Sequence, residues 1–280
     1  MDARFIIERA RILRKVRDFF DSRGFIEVET PVRISAPAPE PHIDCPASGA
    51  KFLRASPELQ MKKLLARGFE KIFQIGPCFR EGESGARHRP EFTMLEWYRA
   101  GSGYEEIAAD AEALLKEILS LPPCPFRRIA VREAYTGFCG WDPLENWNAD
   151  RFDFDMAEKV EPSLPPGPVF LFDYPAEAAS LSRLSPADPR TAERWELYFD
   201  GIELANAFSE LVDPAEQRRR FEEARRERAA LGEADYPLDE AFLSALASVP
   251  PSGGAALGID RLVMAATGAK SIDDVCTPAD

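Results

Sequence analysis

Between Phe79 and Tyr98 the chain reads FREGESGARHRPEFTMLEWY, and an arginine, a histidine, two flanking glutamates and a carboxylate–phenol pair fall within that span. Arg80 carries a planar, permanently charged fork suited to phosphate or carboxylate. His88 is one of only two histidines in the chain. The apolar run KIFQIGPCF leads in and the alternating run EFTMLEWY leads out, which predicts two antiparallel strands joined by a long polar loop. A period of two then puts Phe92, Met94, Glu96 and Tyr98 on one face and Thr93, Leu95 and Trp97 on the other. A carboxylate and a phenol beside a Phe read as the wall of a pocket.

A second set of chemical side chains lies in RWELYFDGIELANAFSEL, residues 194–211. In an unbroken strand Glu203 faces away from Asn206 and Glu210, whereas in a helix all three share a face. The aromatic and β-forming residues before them, and the helix start at Asp213-Pro214, favour one long strand or two consecutive ones, with a bulge near Asn206-Ala207. Buried glutamates on a strand are costly unless paired or liganded, so this is a second candidate site. The closing segment PSGGAALGIDRLVMAATG puts Arg261 where a small-residue strand up to Gly258 meets an apolar helix, a place where glycine lets a ligand approach the backbone. Neither GxGxxG nor GxxxxGK[ST] spacing occurs there. Ser56-Pro57-Glu58 is a hydroxyl N-cap, a proline at the first helical position and a first-turn carboxylate; it reads equally as a plain helix start or as a turn facing a ligand amine.

The elements that must hold these groups follow from periodicity. Residues 4–20 have the spacing of an amphipathic helix ended by Gly24, and FIEVETP follows as a short strand. Four prolines make residues 35–50 loop or edge. The helix begun at Ser56 closes at Gly68. Ser102 and Glu105 form a capping box for a helix through about Leu119. A helix is expected over 128–140, an irregular insertion over 141–168, a buried strand in VFLFDYP (169–175), a long charged helix from Asp213 to Gly232 and a shorter one over 238–249.

With 280 residues, 45% of them hydrophobic, the chain can bury one large core. No eighteen-residue apolar run occurs and the amino-terminal stretch is studded with charge, so a cytoplasmic protein is expected. Five scattered cysteines without a CxxC argue against a disulfide framework or a zinc cluster. Lys+Arg 35 against Asp+Glu 48 gives a net charge of -13, a poor balance for a general nucleic-acid binder, and QRRRFEEARRER interleaves both signs as a solvated helix face does.

Three stretches in order, GFIEVETPVR, FRE with the hairpin to EFTMLEWY, and GAALGIDRL, resemble the three motifs of the class II aminoacyl-tRNA synthetase catalytic domain, and GIELANAFSEL and SPELQMK resemble its lysyl branch. HRPEFTMLEWY and Ala256, where the synthetase has glycine, resemble the stand-alone paralogues that attach lysine or β-lysine to a lysine of elongation factor P. The resemblance implies an α+β fold, a six- or seven-stranded antiparallel sheet flanked by helices, over a single catalytic domain at 1–280 without an anticodon-binding domain. It also implies a homodimer, no stable tRNA binding, and ATP with Mg2+. Arg80, Glu203 and Arg261 are the catalytic residues so implied. The ATP site takes Arg80, Glu81, Gly82, Glu83, His88, Arg89, Phe92, Glu203, Leu204, Gly258 and Arg261. The amino-acid site takes Ser56, Pro57, Glu58, Glu96, Tyr98, Asn206, Glu210 and Ala256, and Glu203 with Glu210 or Asn206 brings in magnesium.

The sequence also departs from the family. Gly82 stands where the second motif has glutamate, leaving Glu81 or Glu83 to substitute, with Glu83 preferred. Arg89 replaces an asparagine and Ala207 a glycine. Ala256 fills the floor beneath the reacting amino group and is expected to favour a β-amino acid. Two alternatives stand beside this reading: a lysine-activating protein serving tRNA through a partner, and an inactive ATP- or lysine-binding module, which Gly82 and Arg89 keep open.

Overall fold

The computed structural model describes residues 3–277. Residues 1–2 and 278–280, the ends of the expected domain, lie outside the described residues. The strands, in chain order, are β1 (Ile26–Glu27), β2 (Arg33–Ile34), β3 (Ala47–Ser48), β4 (Lys51–Leu53), β5 (Lys71–Phe79), β6 (Glu91–Ala100), β7 (Arg127–Ala130), β8 (Pro168–Pro175), β9 (Thr191–Phe199), β10 (Ile202–Ser209) and β11 (Ser252–Gly258). An eight-stranded sheet has the order β1-β5-β6-β11-β10-β9-β8-β7, and β2-β4-β3 form a small second sheet. The six central strands of the large sheet are antiparallel, while β1 runs parallel to β5 and β7 parallel to β8. The sheet is thus wider than expected, because each edge gains a short parallel strand.

The helices are α1 (Ala3–Asp21), α2 (Glu58–Leu65), α3 (Tyr104–Leu119), α4 (Val131–Ala134), α5 (Ala149–Asp155), α6 (Glu161–Ser163), α7 (Pro214–Leu231), α8 (Glu240–Leu246), α9 (Ile259–Thr267) and α10 (Ile272–Val275). Strand alternation sorts the two faces of the sheet. Leu95, Trp97, Trp195, Leu197, Ala207, Ala255 and Leu257 point to one side, where they form the main core with Ile12, Val16 and Phe20 of α1, Leu114 and Leu115 of α3, and Leu262 and Val263 of α9. Phe20 stacks on Phe73 at 4.8 Å and meets Phe25 edge-on at 5.0 Å. Burying a side chain of this size stabilises by about 1.5–3 kcal/mol, so this face is the foundation of the fold.

The other face is covered at its two ends only. At one end Leu59, Met61 and Leu65 of α2, Phe221 of α7 and Phe242 and Leu246 of α8 pack with Tyr98. At the other, Val131, Tyr135, Trp141, Phe152 and Val160 pack on Leu171, Tyr174 and Tyr198. Between the two covers lies the cavity described below.

Several local expectations are corrected. Residues 127–130 are a strand, and the helix expected over 128–140 shrinks to α4 followed by a π turn over Tyr135–Cys139. The stretch 141–168 is not irregular throughout: α5, a π turn over Met156–Val160 and α6 fold it, tied down by Trp141 Nε1 donating to Asp155 at 2.8 Å. The segment expected to be loop or edge over 35–50 does contribute an edge strand, β3 of the small sheet. Gly103, not Ser102, caps α3, its N–H donating to Glu106 at 2.8 Å.

Candidate functional site

The hairpin at the start of the chemistry forms as its alternation requires. β5 and β6 pair from Lys71↔Arg99 to Phe79↔Glu91, and β6 pairs with β11 on its other side. Phe92, Met94, Glu96 and Tyr98 all line one cavity of about 380 Å3. β9 adds Arg194 and Glu196, β10 adds Glu203, Asn206 and Phe208 with Glu210 just past its end, and β11 adds Gly254, Ala256 and Gly258.

The parity problem in β10 is solved by a bulge, but not at Asn206-Ala207. Glu203 pairs with Tyr198 and Ala205 with Leu197, so Leu204 is the extra residue. One inserted residue resets the alternation. Glu203 therefore comes round to the face shared by Asn206 and Glu210, and Leu204 and Ala205 both turn to the core.

At one end of the cavity the side chains form a cage for a cation. Ser56 Oγ donates to Glu96 Oε1 at 2.5 Å and Tyr98 OH to Glu96 Oε2 at 3.0 Å. Burial first, then the charge of Glu58, pushes the Glu96 carboxyl up to about 8. Burial likewise lifts Glu210 to about 7 against the pull of Lys62. Lys62, fully buried, is ion-paired to Glu58 at 2.5 Å and to Glu210. Burial opposes its charge, yet Glu210 and Glu58 together hold its pKa above the ordinary lysine value. Two carboxylates, Glu58 and Glu210, thus pair with one internal ammonium, and Glu96 stands at the same end of the cavity as an acidic group for a second ammonium from a ligand. Asn206 Oδ1 is buried without a hydrogen-bond partner, an acceptor open to an N–H group. Ala256 sits between Glu96 and Asn206, paired with each across the sheet.

The other part of the cavity is cationic. Arg80 lies 5.3 Å over the Phe92 ring and its Nε is buried without a partner; Arg194, whose Nε is also unpartnered, stands instead in the cross-strand row of Gly254 and Tyr98 and is ion-paired to Glu196. Arg261 donates to Glu203 Oε2 at 2.8 Å and to the Glu203 carbonyl at 3.0 Å, and its Nη2 lies 2.6 Å from His88 Nε2. Partial burial and the adjacent Arg261 hold His88 below its ordinary pKa, so it serves Arg261 as a neutral acceptor. Asp260 ties the start of α9 to its neighbours, accepting from Arg9 of α1 at 2.5 Å and from the Thr93 N–H at 2.7 Å.

The sequence-predicted residues divide as follows. Ser56, Glu58, Arg80, Glu83, His88, Arg89, Phe92, Glu96, Tyr98, Glu203, Leu204, Asn206, Glu210, Ala256, Gly258 and Arg261 all line the cavity. Pro57 is buried outside its lining; it caps α2 while the Ser56 hydroxyl, one place earlier, accepts the Glu58 N–H at 2.9 Å. Glu81 and Gly82 are exposed in the turn away from it, Gly82 at φ +76. Of the two acidic candidates, Glu83 is the one that lines the cavity and meets Arg80, at 3.4 Å. The Arg89 guanidinium is drawn off to the Thr277 carbonyl (3.4 Å) and Asp273 (3.8 Å).

The pairing of Glu203 with Glu210 around one metal ion is corrected. They stand near opposite ends of β10, about 20 Å apart at the usual rise of a strand, too far to share an ion that binds oxygen at about 2.1 Å. Glu196 is the better partner for Glu203: it shares the cavity face one strand away, and both raise the pKa of Glu161 after burial does. Tyr198 OH holds Glu196 at 2.7 Å and Arg194 holds it at 2.6 Å. Two carboxylates suit a hard cation that keeps phosphate and water among its ligands. Among the described residues no three His, Cys, Asp or Glu side chains converge on a metal site. Glu196, Arg194, Lys62 and Gly254 were missed by sequence reasoning. The alternation of RWELYF, which places Arg194 and Glu196 on the Tyr198 face, was the signal for the first two.

A model of the class II tRNA synthetases (D, K and N) matches residues 2–277. The chain is 38% identical over 308 residues to a protein of Proteus mirabilis (strain HI4320) called elongation factor P–(R)-β-lysine ligase, covering 96% of this chain and 93% of that one. The proteins of the same name from Vibrio cholerae (serotype O1) and Haemophilus influenzae (strain PittGG) are each 38% identical, over 302 and 306 residues, covering 96% and 98% of this chain and 93% and 94% of theirs.

Proposed function

The chain belongs to the class II tRNA synthetases (D, K and N), and from that premise we propose that it is an ATP-dependent ligase that activates β-lysine, or lysine, and transfers it to a lysine side chain of elongation factor P. The observation that carries this reading is one cavity with two differently charged parts: a carboxylate cage that suits a second ammonium, and a part lined by Arg261 and by Arg80, whose Nε lacks a partner. A diamino acid joined to a nucleoside phosphate has that polarity.

In the first half-reaction the substrate carboxylate oxygen attacks the α-phosphorus of ATP, a P–O bond forms, and pyrophosphate departs. Arg80 neutralises the α-phosphate and aligns the carboxylate, Phe92 stacks on the base, and Arg261, oriented by Glu203 and neutral His88, holds the outer phosphates. Positioning and charge neutralisation supply most of the acceleration in such a displacement. Glu196 and Glu203 would hold magnesium, whose charge offsets that of the phosphates. Glu96, Tyr98 and Glu210 receive the distal ammonium, and Ser56, Glu58 and Asn206 the nearer amino group. In the second half-reaction the acceptor amine displaces AMP to form an amide.

The proposal extends to a single catalytic domain, a homodimer, no stable tRNA binding, and a cytoplasmic place. Among the described residues no helix is long and apolar enough to cross a membrane. The test is incubation with ATP, β-lysine or lysine, and elongation factor P from the same source, read by mass spectrometry beside tRNA charging. An added lysyl mass on elongation factor P is expected. Charging of tRNA alone, or no product with either amino acid, overturns the proposal.

A further inference from the structure

One carboxylate in the cavity is left without a task by the roles assigned above. Glu40 belongs to the proline-rich segment between β2 and β3 and reaches the cavity together with Ile43. Its backbone is fixed from behind. Arg228 of α7, 1% exposed, donates to the Glu40 carbonyl at 2.8 Å and the Ile43 carbonyl at 3.0 Å and is ion-paired with Asp44. The same guanidinium lies 4.4 Å over the ring of Tyr236, whose hydroxyl accepts the Cys45 N–H at 2.8 Å. From the other side the Asp44 carbonyl accepts the Glu81 N–H at 2.7 Å, joining this segment to the turn that follows Arg80. Pro37, Pro39 and Pro41 restrict the rest of the segment.

A buried arginine thus holds the Glu40 backbone in place while the Glu40 carboxylate itself has no hydrogen bond or ion pair among the described residues. The charged groups that face it are Glu58, Arg80, Arg194 and Lys62, with the Cys45 thiol beside it. Burial, reinforced by Glu58, holds it above the ordinary carboxylate range. A free carboxylate near Arg80 repels a phosphate, so its use must be for a cation or a proton. The distal ammonium has Glu96, Tyr98 and Glu210, and the nearer amino group has Ser56, Glu58 and Asn206. The remaining cation in the reaction is the ammonium of the acceptor lysine, and it must lose a proton before it can attack.

We propose that Glu40 is the base of the transfer step, meeting the acceptor ammonium beside Arg80 and taking its proton. This rests on the ligase reading above. The acceptor R–NH3+ gives one proton to the Glu40 carboxylate, and the free amine attacks the acyl carbon of the adenylate. The C–N bond forms, and the bond from the acyl carbon to the phosphate oxygen breaks with its electron pair going to AMP. The second nitrogen proton leaves with the departing phosphate, and Glu40 returns its proton to water.

The experiment separates the half-reactions in Glu40→Gln, which keeps the shape and loses the basicity, and in Glu40→Asp. For Glu40→Gln, β-lysine-dependent ATP–pyrophosphate exchange is expected within about threefold of wild type. Single-turnover transfer from preformed adenylate to elongation factor P is expected to slow by about 100-fold, the usual scale for a lost general base. The slowed transfer should recover about tenfold per pH unit as the lysine free base, of pKa about 10.4, becomes populated. Glu40→Asp should restore part of the rate at neutral pH. Equal losses in exchange and transfer would make Glu40 an amino-acid ligand and overturn the proposal, as would unchanged transfer. A wild-type protein that labels no elongation factor P overturns the ligase reading and this role with it, whereas a labelling wild type with an equally active Glu40→Gln overturns this role alone.

Discussion

Ser56 and Glu96, forty residues apart in the chain, meet side chain to side chain at 2.5 Å, and the hydroxyl that donates to Glu96 also accepts the Glu58 N–H that opens α2. The start of a helix and the middle of a strand are thereby locked around one carboxyl held up at about 8. At pH 7 that carboxyl carries a proton in the empty cavity, whereas a bound ammonium requires the ionised form. The proton and the substrate therefore compete. Affinity for the diamino acid should rise as pH goes from 6 to 8 and level off above, with up to about tenfold gain per unit from one competing proton. Calorimetry at pH 7 in buffers of different ionisation enthalpy should show about one proton released on binding. A binding enthalpy independent of buffer would rule this out.

The same shift has a sign for stability. Glu96 and Glu210 have folded-state pKa values raised to about 8 and about 7, so between pH 4.5 and 8 the folded chain holds protons that the unfolded chain does not. Their contribution is complete at the acid end of that window and is lost as pH rises through the folded values. Glu96→Gln should therefore melt a few degrees higher than wild type at pH 8 and about equally at pH 5, with weaker substrate binding throughout. Thermal scans across pH read this directly.

Arg80 and Phe92 should separate in kinetics. Arg80→Lys retains charge but loses the fork, so ATP–pyrophosphate exchange should fall by about 100-fold, mostly in kcat. Phe92→Ala removes a stacking face of about 1–3 kcal/mol, and its loss should appear as a KM for ATP raised by about tenfold or more. Similar kcat losses in both variants would argue against the assignment of Phe92 to the base.

The corrected metal pairing makes Glu196 and Glu210 distinguishable. Glu196→Gln should raise the magnesium concentration needed for half-maximal exchange by about tenfold or more, since losing even a group that only orients a metal's ligands costs that much. Glu210→Gln should leave that requirement alone and raise the KM for the diamino acid. Magnesium titrations of the two variants with the same midpoint would return the ion to an unassigned place.

Two positions on β11 test the floor of the cavity. A β-carbon on Gly254 would come within 2.2 Å of the Tyr98 ring and 2.6 Å of Glu210 Oε1, so Gly254→Ala should displace the ammonium cage and cost diamino-acid binding at least tenfold, on the scale of about 1–3 kcal/mol for overpacking. Ala256 pairs with Glu96 on one side and Asn206 on the other, and Ala256→Gly should shift the exchange preference from β-lysine toward lysine. A preference that does not move would count against a steric role for that methyl.

Where the sequence carried a short period it announced the structure. The faces of β6, the strand-to-helix junction at Gly258, and the cap and stop of α7 at Asp213 and Gly232 were all legible from spacing and side-chain type. Most of the cavity lining was legible too, but chiefly through motif resemblance. Long-range pairing was not legible: β7 lies parallel to β8 only because the folded insertion between them returns the chain, and no local pattern in 127–130 encodes that partner. Lys62 hid for a related reason. Within its helix it is an ordinary i, i+4 partner of Glu58, and only the tertiary fold adds Glu210 and removes the water. The metal pairing failed because a sequence reader counts residues along β10, whereas Glu196 approaches Glu203 across the hairpin from β9.

The extra residue at Leu204 has a consequence for how the chain tolerates change. Two carboxylates seven positions apart can both face the ligand only because the strand between them holds one residue more than its neighbour. Exchanging Leu204 for another apolar residue would disturb packing alone. Pairing Leu204 itself with Tyr198 would straighten the bulge, swing Glu203 toward the core face and send Leu204 into the cavity, whereas deleting Leu204 would leave both carboxylates on the cavity face. At this point the chemistry is written in the register of the strand rather than in the identity of the residue.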